Sequence, residues 1–575
     1  MCSKKTFAIL VAVIGVILLG VGITLLSAEN ALLQLVLKQV LPLTSSGSRL
    51  YDAFVDPDSQ GVTFVRRFTM FNVTNSADIC NGAAPNIVAV GPYTYHQRPK
   101  KSNLSWSGDK NFLDYKYDVD FVFDPTLSID ERTGQQLSKD DQIMFYSVPF
   151  YSSAYRTATM DPNLLPPPEM NNPTPIQVQS ANILNMFVTN CVTTDDTGNN
   201  PVGILQTFSV QQYLFGYTDP LLSTLQKTVV ANNITYYDTT VSRMQFRHGL
   251  PAPSPISPDY GQQCPMNDNI FTQCNTTNTS ATQIMTGNDD LSNIGKMTQW
   301  AGQKDGELMW WGEGCRSFNG GTDGTMYKPG LNKKENPTIF VDAIWRPVQL
   351  EFDQESSVRG IDTYVYRLSN STLQSKQDNP ANGCYNMDLQ GFLNLSSALY
   401  APVVITKALY LDADSKGRLN FTLNHTAPVS NREDDWYFEI EPITGAPMKI
   451  SVKIQMSLQV GPRATNVNYT SPFTGKFPAY YSITQNLAQT YIPFYIAENY
   501  FELGSKLADQ FKNSVGLFQK IAKIGGIIGT ALGTMLALGG FMWWRKTSKD
   551  EYNGEYLPVN NSGFSPVKDY SGRSV

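Results

Sequence analysis

The chain has 575 residues, with 44 Lys and Arg against 50 Asp and Glu, a formal charge of -6 and a charged fraction of 16%. Its length passes the limit at which one hydrophobic core stops growing, which points to two or three domains. An acidic, charge-poor balance leaves no basic surface for polyanions and excludes nucleic acid as a partner.

Residues 1–6 carry Lys4 and Lys5, and FAILVAVIGVILLGVGITLL follows at residues 7–26 without a charge. At 1.5 Å per residue this run spans a bilayer core of roughly 30 Å. It is longer than the apolar region of about 7 to 15 residues in a secretory signal, and no small-x-small site closes it, so it reads as a retained anchor. A second anchor occupies residues 524–544, followed by Arg545, Lys546 and Lys549. The positive-inside bias puts residues 1–6 and the tail 545–575 in the cytosol, and residues 27–523 become an extracellular or lumenal ectodomain.

Ten N-x-Ser/Thr sequons lie between the anchors, at Asn72, Asn103, Asn233, Asn275, Asn278, Asn370, Asn394, Asn420, Asn424 and Asn468. They fit the side of the membrane on which glycans are added. Cys2 sits in the cytosolic tip, while Cys80, Cys191, Cys264, Cys274, Cys315 and Cys384 fall outside, an even number suited to disulfides. Spacing alone does not choose among the pairings, though Cys264 and Cys274 flank a short loop that is the cheapest to close.

After the first anchor, ENALLQLVLKQVLPL is apolar at helical spacing through Leu32, Leu35, Val36 and Val40, which predicts an amphipathic helix. The period then changes. GVTFVRRFTMFNVTN, NIVAVGPYTYHQ, NFLDYKYDVDFVFDP and TIFVDAIWRPVQLEFD are β-branched and aromatic runs bounded by turn residues, and they predict antiparallel strands. Helical patterning returns in IQVQSANILNMFVTNCV, SVQQYLFGYTDPLLSTLQKTV and TQNLAQTYIPFYIAENYFELGSKLADQFKNSVGLFQKIAKI; GLPAPSPISPDYGQQC reads as a surface loop.

KISVKIQMSLQV places Val452, Ile454, Met456, Leu458 and Val460 on one side of an extended chain and Lys453, Gln455, Ser457 and Gln459 on the other. A chain with helical anchors is not an outer-membrane barrel, so this stripe faces a core or a cavity rather than lipid tails.

Signals for chemistry are sparse. His96, His248 and His425 stand apart from one another, and no CxxC, HExxH, GxSxG, GxGxxG or P-loop occurs. Glu433, Asp434 and Asp435, or Asp289 and Asp290, could form carboxylate pairs of the glycosidase kind, but such clusters are usually turns and solvated loops. No enzyme, metal or cofactor is indicated.

Six further pieces occur in order: VAVGPYTYHQ at Val88 to Gln97, FDPTLS at Phe123 to Ser128, QQYLFGYTDPLL at Gln211 to Leu222, TGNDDLSNIGKMTQWAG at Thr286 to Gly302, CRSFNGGTDGTMYKP at Cys315 to Pro329, and WYFEIEPITGAPMKISVKIQMSLQV at Trp436 to Val460. With the two anchors, they make nearly the whole chain resemble the class B scavenger receptor family. The resemblance implies an α+β membrane protein, with two transmembrane helices and an ectodomain built on an irregular antiparallel β-barrel under an apical helical bundle. It further implies a hydrophobic tunnel that carries sterol, fatty acid or phospholipid, taken from lipid particles, to the membrane. The stripe Val452, Ile454, Met456, Leu458 and Val460 would line core or tunnel, and Ile183, Met186 and Phe187 would stand at an apical entrance. A lipid tail crossing water exposes apolar area at about 0.8 kcal/mol per methylene, and a dry path removes most of that cost.

The resemblance also implies a Cys315–Cys384 disulfide. Cys80, Cys191, Cys264 and Cys274 have no evident counterparts in the family; local closure of Cys264 with Cys274 leaves Cys80 with Cys191. Some relatives carry apical lysines where this chain has Asp195 and Asp196, which disfavours anionic ligands and favours sterols or neutral lipids. Other members use the apex to grip a protein ligand, which leaves an endocytic or lysosomal-trafficking receptor as the alternative function. Both readings place the protein at the plasma membrane or in endosomes and lysosomes.

Gly525, Gly529, Gly533 and Ala537 form a small-xxx-small ridge that fits either the chain's own first anchor or a homo-oligomer. Cys2 is either acylated or an idle thiol. Tyr556 to Val559 has the form of a Tyr-x-x-apolar sorting signal.

Overall fold

The computed structural model describes residues 4–27, 37–44, 49–79, 81–151, 203–219, 240–241, 266–267, 270–272, 282–300, 302–308, 311–385, 387–395, 402–418, 421–424, 435–460 and 490–554. It divides into two compact units, residues 1–36 with 510–575 and residues 37–509.

The first unit is a helix pair, α1 (Lys4–Ser27) and the long C-terminal helix (Leu517–Gly554). Lys5–Thr24 and Ile524–Lys549 are long and apolar enough to cross a membrane. The two run antiparallel: Phe7 meets Trp543 edge-on at 5.6 Å, Ala12 lies against Gly540, Gly15 against Ala537, Leu19 against Gly533 and Gly22 against Gly529. Antiparallel spans put both short ends on one side of a bilayer. A methyl added at Gly15, Gly22 or Gly533 would fall on backbone atoms of the facing helix, so the ridge of Gly529, Gly533 and Ala537 serves this intrachain contact, whereas Gly525 faces nothing within 4 Å. Of the two fits open in the sequence, the chain's own helix takes the ridge.

The second unit is mostly antiparallel sheet. Its principal strands are β1 (Thr63–Val73), β2 (Asn86–Trp106), β3 (Phe112–Phe123), β4 (Gln142–Tyr146), β5 (Leu205–Ser209), β6 (Thr282–Met285), β7 (Met297–Trp300), β8 (Thr338–Val341), β9 (Arg346–Val358), β10 (Ile361–Leu368), β11 (Val403–Lys407), β12 (Tyr437–Ile440), β13 (Pro447–Val460) and β14 (Thr490–Glu502). Short helices α2 (Arg49–Val55), α3 (Val210–Phe215) and α4 (Ser505–Phe511) accompany them; the C-terminal membrane helix is α5.

The four runs read as strands are strands, and TIFVDAIWRPVQLEFD is the hairpin β8–β9. Antiparallel ladders follow the path β8–β9–β10–β12–β13–β14–β1–β2–β3–β6–β7. β11 and β12 share one edge of β13: β12 pairs along Pro447–Ser451 and β11 along Ile454–Leu458. The strands do not close into a barrel, contrary to the expectation. Between β7 and β8 the gap is crossed by non-strand residues 321–323, through single bridges Lys296↔Thr322 and Thr322↔Ile339. Met297 N–H donates to Gly321 O at 2.9 Å and Phe340 N–H to Thr322 O at 2.9 Å. Gly321 packs so closely on Phe340 that a side chain there would displace the crossing. The predicted apical bundle, with Ile183, Met186, Phe187, Asp195 and Asp196, lies outside the described residues, as do the loop 249–264 and the tail with Tyr556 and Val559.

Two local expectations change. Residues 490–502, patterned as helix in the sequence, are strand β14, and helix begins at Ser505. β14 lies between β1 and β13, its residues 492–497 are buried on both faces, and a register shift between Met456 and Ser457 opposite Phe494 breaks its alternation, so its apolar run carries no period of two. Pro493 sits beside that bulge, where a missing N–H is tolerated. Near residue 40 the buried face runs through Leu37, Leu41 and Leu43, and Val40 points outward.

Cys315 and Cys384 form the disulfide, with Cα atoms 5.8 Å apart and a separation of 69 positions in sequence. Cys2, Cys80, Cys191, Cys264 and Cys274 lie outside the described residues. Beside the bond, the Arg346 guanidinium stacks on Tyr385 at 3.7 Å.

Two predictions follow from these contacts. Cysteines replacing Phe7 and Trp543 crosslink in membranes, and adding Gly533→Leu reduces the yield several-fold; equal yields would remove the intrachain helix pair. Loss of the disulfide in Cys315→Ser with Cys384→Ser lowers stability by about 4 kcal/mol, as expected for a loop of this length, read as a shift in denaturant midpoint.

Candidate functional site

The stripe Val452, Ile454, Met456, Leu458 and Val460 is buried, each residue between 1% and 7% exposed. On the opposite side of β13 Gln455 and Ser457 are fully buried, at 0%, while Lys453 and Gln459 are half-buried. A strap at Ala408–Asp412 covers that side: Leu409 N–H donates to Gln455 Oε1 at 2.8 Å, and Tyr410 OH donates to Tyr491 O at 2.6 Å. Phe392, Val404 and Tyr410 form a small core there with Leu389, Ala413, Phe421 and Tyr491. Lys407 holds the ends of this cover, 2.8 Å from Asp412 and 2.9 Å from Asp435. The polar residues of β13 thus bond to a second layer, and the apolar ones face away from it.

That far side, the inner face, is continuous across strands. Leu458 pairs with Ile492, Met456 with Tyr495, Ile454 with Ala497 and Val452 with Asn499. Tyr495 OH donates to Met456 Sδ at 2.7 Å, and its ring meets Phe68 at 6.0 Å; Phe68 meets Tyr95 at 5.9 Å, and Tyr95 meets Phe215 at 5.2 Å. Phe215 comes from QQYLFGYTDPLL, whose helix α3 starts with a Ser209–Gln212 capping box and buries Tyr213, Leu214 and Phe215. Beyond Val452 the inner positions Ile450, Phe501, Phe64 and Asn499 are half-exposed, with Phe64 and Phe501 5.1 Å apart, so this end of the wall opens.

Polar groups also stand on the inner face. Arg66, between Tyr95 on β2 and Asn499 on β14, is 6% exposed, and Gln97 is 5% exposed. Arg66 and Gln97 both donate to Asn499 Oδ1, and the guanidinium lies 5.7 Å from the Phe68 ring. Lys101 is capped by Phe54 of α2, whose ring and carbonyl oxygen lie 3.6 and 3.1 Å away, and burial pushes its pKa down to about 8. These groups were not singled out in the sequence, although Arg66 shares its strand parity with Phe64 and Phe68.

The other sequence pieces do structural work. In FDPTLS, Asp124 accepts from Thr126 N–H at 2.8 Å and Leu127 N–H at 3.2 Å and lies 2.7 Å from His96. Burial pushes the Asp124 carboxyl up, but the bonds from Thr126, His96 and Leu127 outweigh it and bring its pKa to about 2. Glu441, raised by burial, caps the turn before Gly445, which has φ 74° and abuts the Tyr327 carbonyl. Asp290 accepts from Ser292 N–H, and Asp289 from Asp290 N–H, so this acidic pair is a turn. Asp435 serves Lys407; Glu433, Asp434, His248 and His425 lie outside the described residues. Among the described residues no group of three His, Cys, Asp or Glu could hold a metal.

Of the sequons, Asn103, Asn370 and Asn424 are exposed and Asn394 is half-buried. Asn72, also half-buried, accepts from Met144 N–H at 2.9 Å. Asn233, Asn275, Asn278, Asn420 and Asn468 lie outside the described residues.

The family model described as CD36 family matches residues 13–544. The chain belongs to the CD36 family. It is 24% identical to human Lysosome membrane protein 2, over 78% of this chain and 79% of that protein. It is 21% identical to Sensory neuron membrane protein 2 of Manduca sexta, covering 75% and 76% of the two chains. Against Scavenger receptor class B member 1 of Cricetulus griseus it is 23% identical over 77% and 75%. Family and spans together make this CD36-family protein an integral membrane receptor with an ectodomain.

The depressed pKa of Asp124 contributes stability that is present above the ordinary carboxylate range and lost as pH falls through about 2. Asp124→Asn therefore lowers the thermal midpoint at pH 7 and flattens the loss of stability between pH 4 and 2; an unchanged acid profile would remove this role.

Proposed function

We propose that this CD36-family protein takes up sterol, fatty acid or phospholipid and passes it to the membrane along the inner face of its ectodomain. The observation that carries the reading is the continuity of that face: an apolar lane from Val460 to Val452, joined through Tyr495 and Phe68 to further aromatic rings, ending in a half-exposed rim at Phe64, Phe501 and Ile450. Eight residues of strand cover about 26 Å. A lipid tail held there stays out of water for that distance, which removes a barrier of about 0.8 kcal/mol for each methylene. Receptor membership in the family and the two spans support delivery to a bilayer.

Orientation with residues 1–6 and 545–575 in the cytosol and residues 27–523 outside belongs to the same proposal, with glycans on the exposed Asn103, Asn370 and Asn424. A second reading, a receptor for a protein ligand with the sheet as scaffold, is favoured by the tight packing of Leu458 and Val460, each 1% exposed.

Met456→Trp separates the two. In cells expressing equal surface amounts, uptake of labelled cholesterol and oleate falls to background while protein binding survives. Uptake equal to that of the unaltered protein would overturn the lipid path.

A further inference from the structure

We propose that the paired membrane helices end in a binding site for the multiply phosphorylated headgroup of an inositol lipid, formed by Arg545, Lys546 and Lys549 of α5 together with Lys5 of α1. The inference goes beyond the ectodomain's lipid path; it rests on the two spans and on the proposed orientation, which turns these helix ends to the cytosolic leaflet.

Depth is the first observation. The apolar stretch Ile524–Lys549 has 26 residues, and about twenty of them, up to Trp543, already cover a bilayer core of roughly 30 Å. Trp543 and Trp544 then fall where aromatic belts lie. Helix α5 continues to Gly554, so residues 545–549 rise through the next ~8 Å, the layer of the headgroup phosphates. Asp550 and Glu551 come only beyond it.

Convergence of the two chain ends is the second. Leu19 packs on Gly533, Gly15 on Ala537 and Ala12 on Gly540, and this register carried on toward the N-terminus sets Lys5 level with Thr547. Residues 1–6 and 545–549 contain no Asp or Glu, so cations from both helices share one layer.

The third is the arrangement on α5. Arg545, Lys546 and Lys549 are exposed, whereas Thr547 and Ser548 are half-buried, and the Thr547 hydroxyl donates to the Trp543 and Trp544 carbonyl oxygens at 3.0 Å each. Lys549 lies four residues from Arg545 and three from Lys546. Side chains so spaced are neighbours, with Cβ atoms about 5–6 Å apart, and like charges there repel. A headgroup with one net charge offsets little of this repulsion. Phosphates on neighbouring carbons of one inositol ring suit the spacing: the Arg545 guanidinium takes one in two parallel bonds, and the lysines act on the other as point charges. Basic clusters just beyond a membrane helix attract anionic lipid in this way.

The test reconstitutes the full chain in phosphatidylcholine vesicles with traces of spin-labelled phosphatidylinositol bisphosphate, phosphatidylserine or phosphatidylcholine. The motionally restricted fraction of each label gives its relative association with the helices. The bisphosphate associates about tenfold more strongly than phosphatidylcholine, and phosphatidylserine falls well short of it. Combined Arg545→Gln, Lys546→Gln and Lys549→Gln lowers the bisphosphate preference about fivefold or more. In about 1 M salt, where charges are screened beyond about 3 Å, the unaltered protein loses the preference as well, a reading that needs no variant to insert. Association of the bisphosphate equal to that of phosphatidylcholine leaves the cations as orientation signals and overturns the site. Equal association of phosphatidylserine and bisphosphate overturns the multiply phosphorylated ligand, and a preference that survives the substitutions or the salt overturns the assignment to these cations. Both leaflets of the vesicles carry the same lipids, so each outcome reads the site whichever way the chain inserts and leaves the ectodomain's lipid path to its own test.

Discussion

The twelve-pair register between β13 and β14 is the constraint on which the ectodomain's inner face depends. In a strand a slip of one residue exchanges the two faces, so this ladder decides that Val452, Ile454, Met456, Leu458 and Val460 face one way and Gln455 and Ser457 the other. The ladder itself changes phase at the bulge opposite Phe494. Before it Tyr495 faces Met456 on the inner side; after it Ile492 takes the inner side and Tyr491 turns to the strap. One unpaired residue therefore builds two cores, an apolar one along β13 and a small aromatic one around Tyr410.

Burying β13 on both sides creates a demand for hydrogen bonds that the strap meets. Gln455 without Leu409 N–H, or Tyr410 without the Tyr491 carbonyl, would leave buried polar groups unpaired at about 1 to 3 kcal/mol each. The strap in turn is tied down by Lys407 between two carboxylates. On the inner side the apolar residues need no partners, and the wall can be continuous from Val460 to the rim.

The pieces that mark the family are mostly not the wall. Asp124, Asp290, Glu441, Gly321 and Gly445 shape turns and close approaches that hold strands in register, while β13, the helix of QQYLFGYTDPLL and Tyr95 and Gln97 of VAVGPYTYHQ present side chains to the inner face. Such positions tolerate few substitutions because each satisfies backbone groups or leaves no room for a side chain, which suits them to identify a fold while saying little about its ligand.

The sequence by itself determined the two anchors, the long early strands, the stripe on β13 and the Cys315–Cys384 bond implied by family resemblance. These are carried by composition, by a period of two or by motif, all local properties of the chain. Tertiary structure alone decided that 490–502 is strand, that the glycine ridge packs on the chain's own first helix, that the ladders stop short of a closed ring, and that Arg66 rather than Arg67 faces the core. Each of these depends on which segment lies alongside, across hundreds of residues in sequence. Period and propensity see only neighbours, and a bulge or a facing helix can reverse what they suggest.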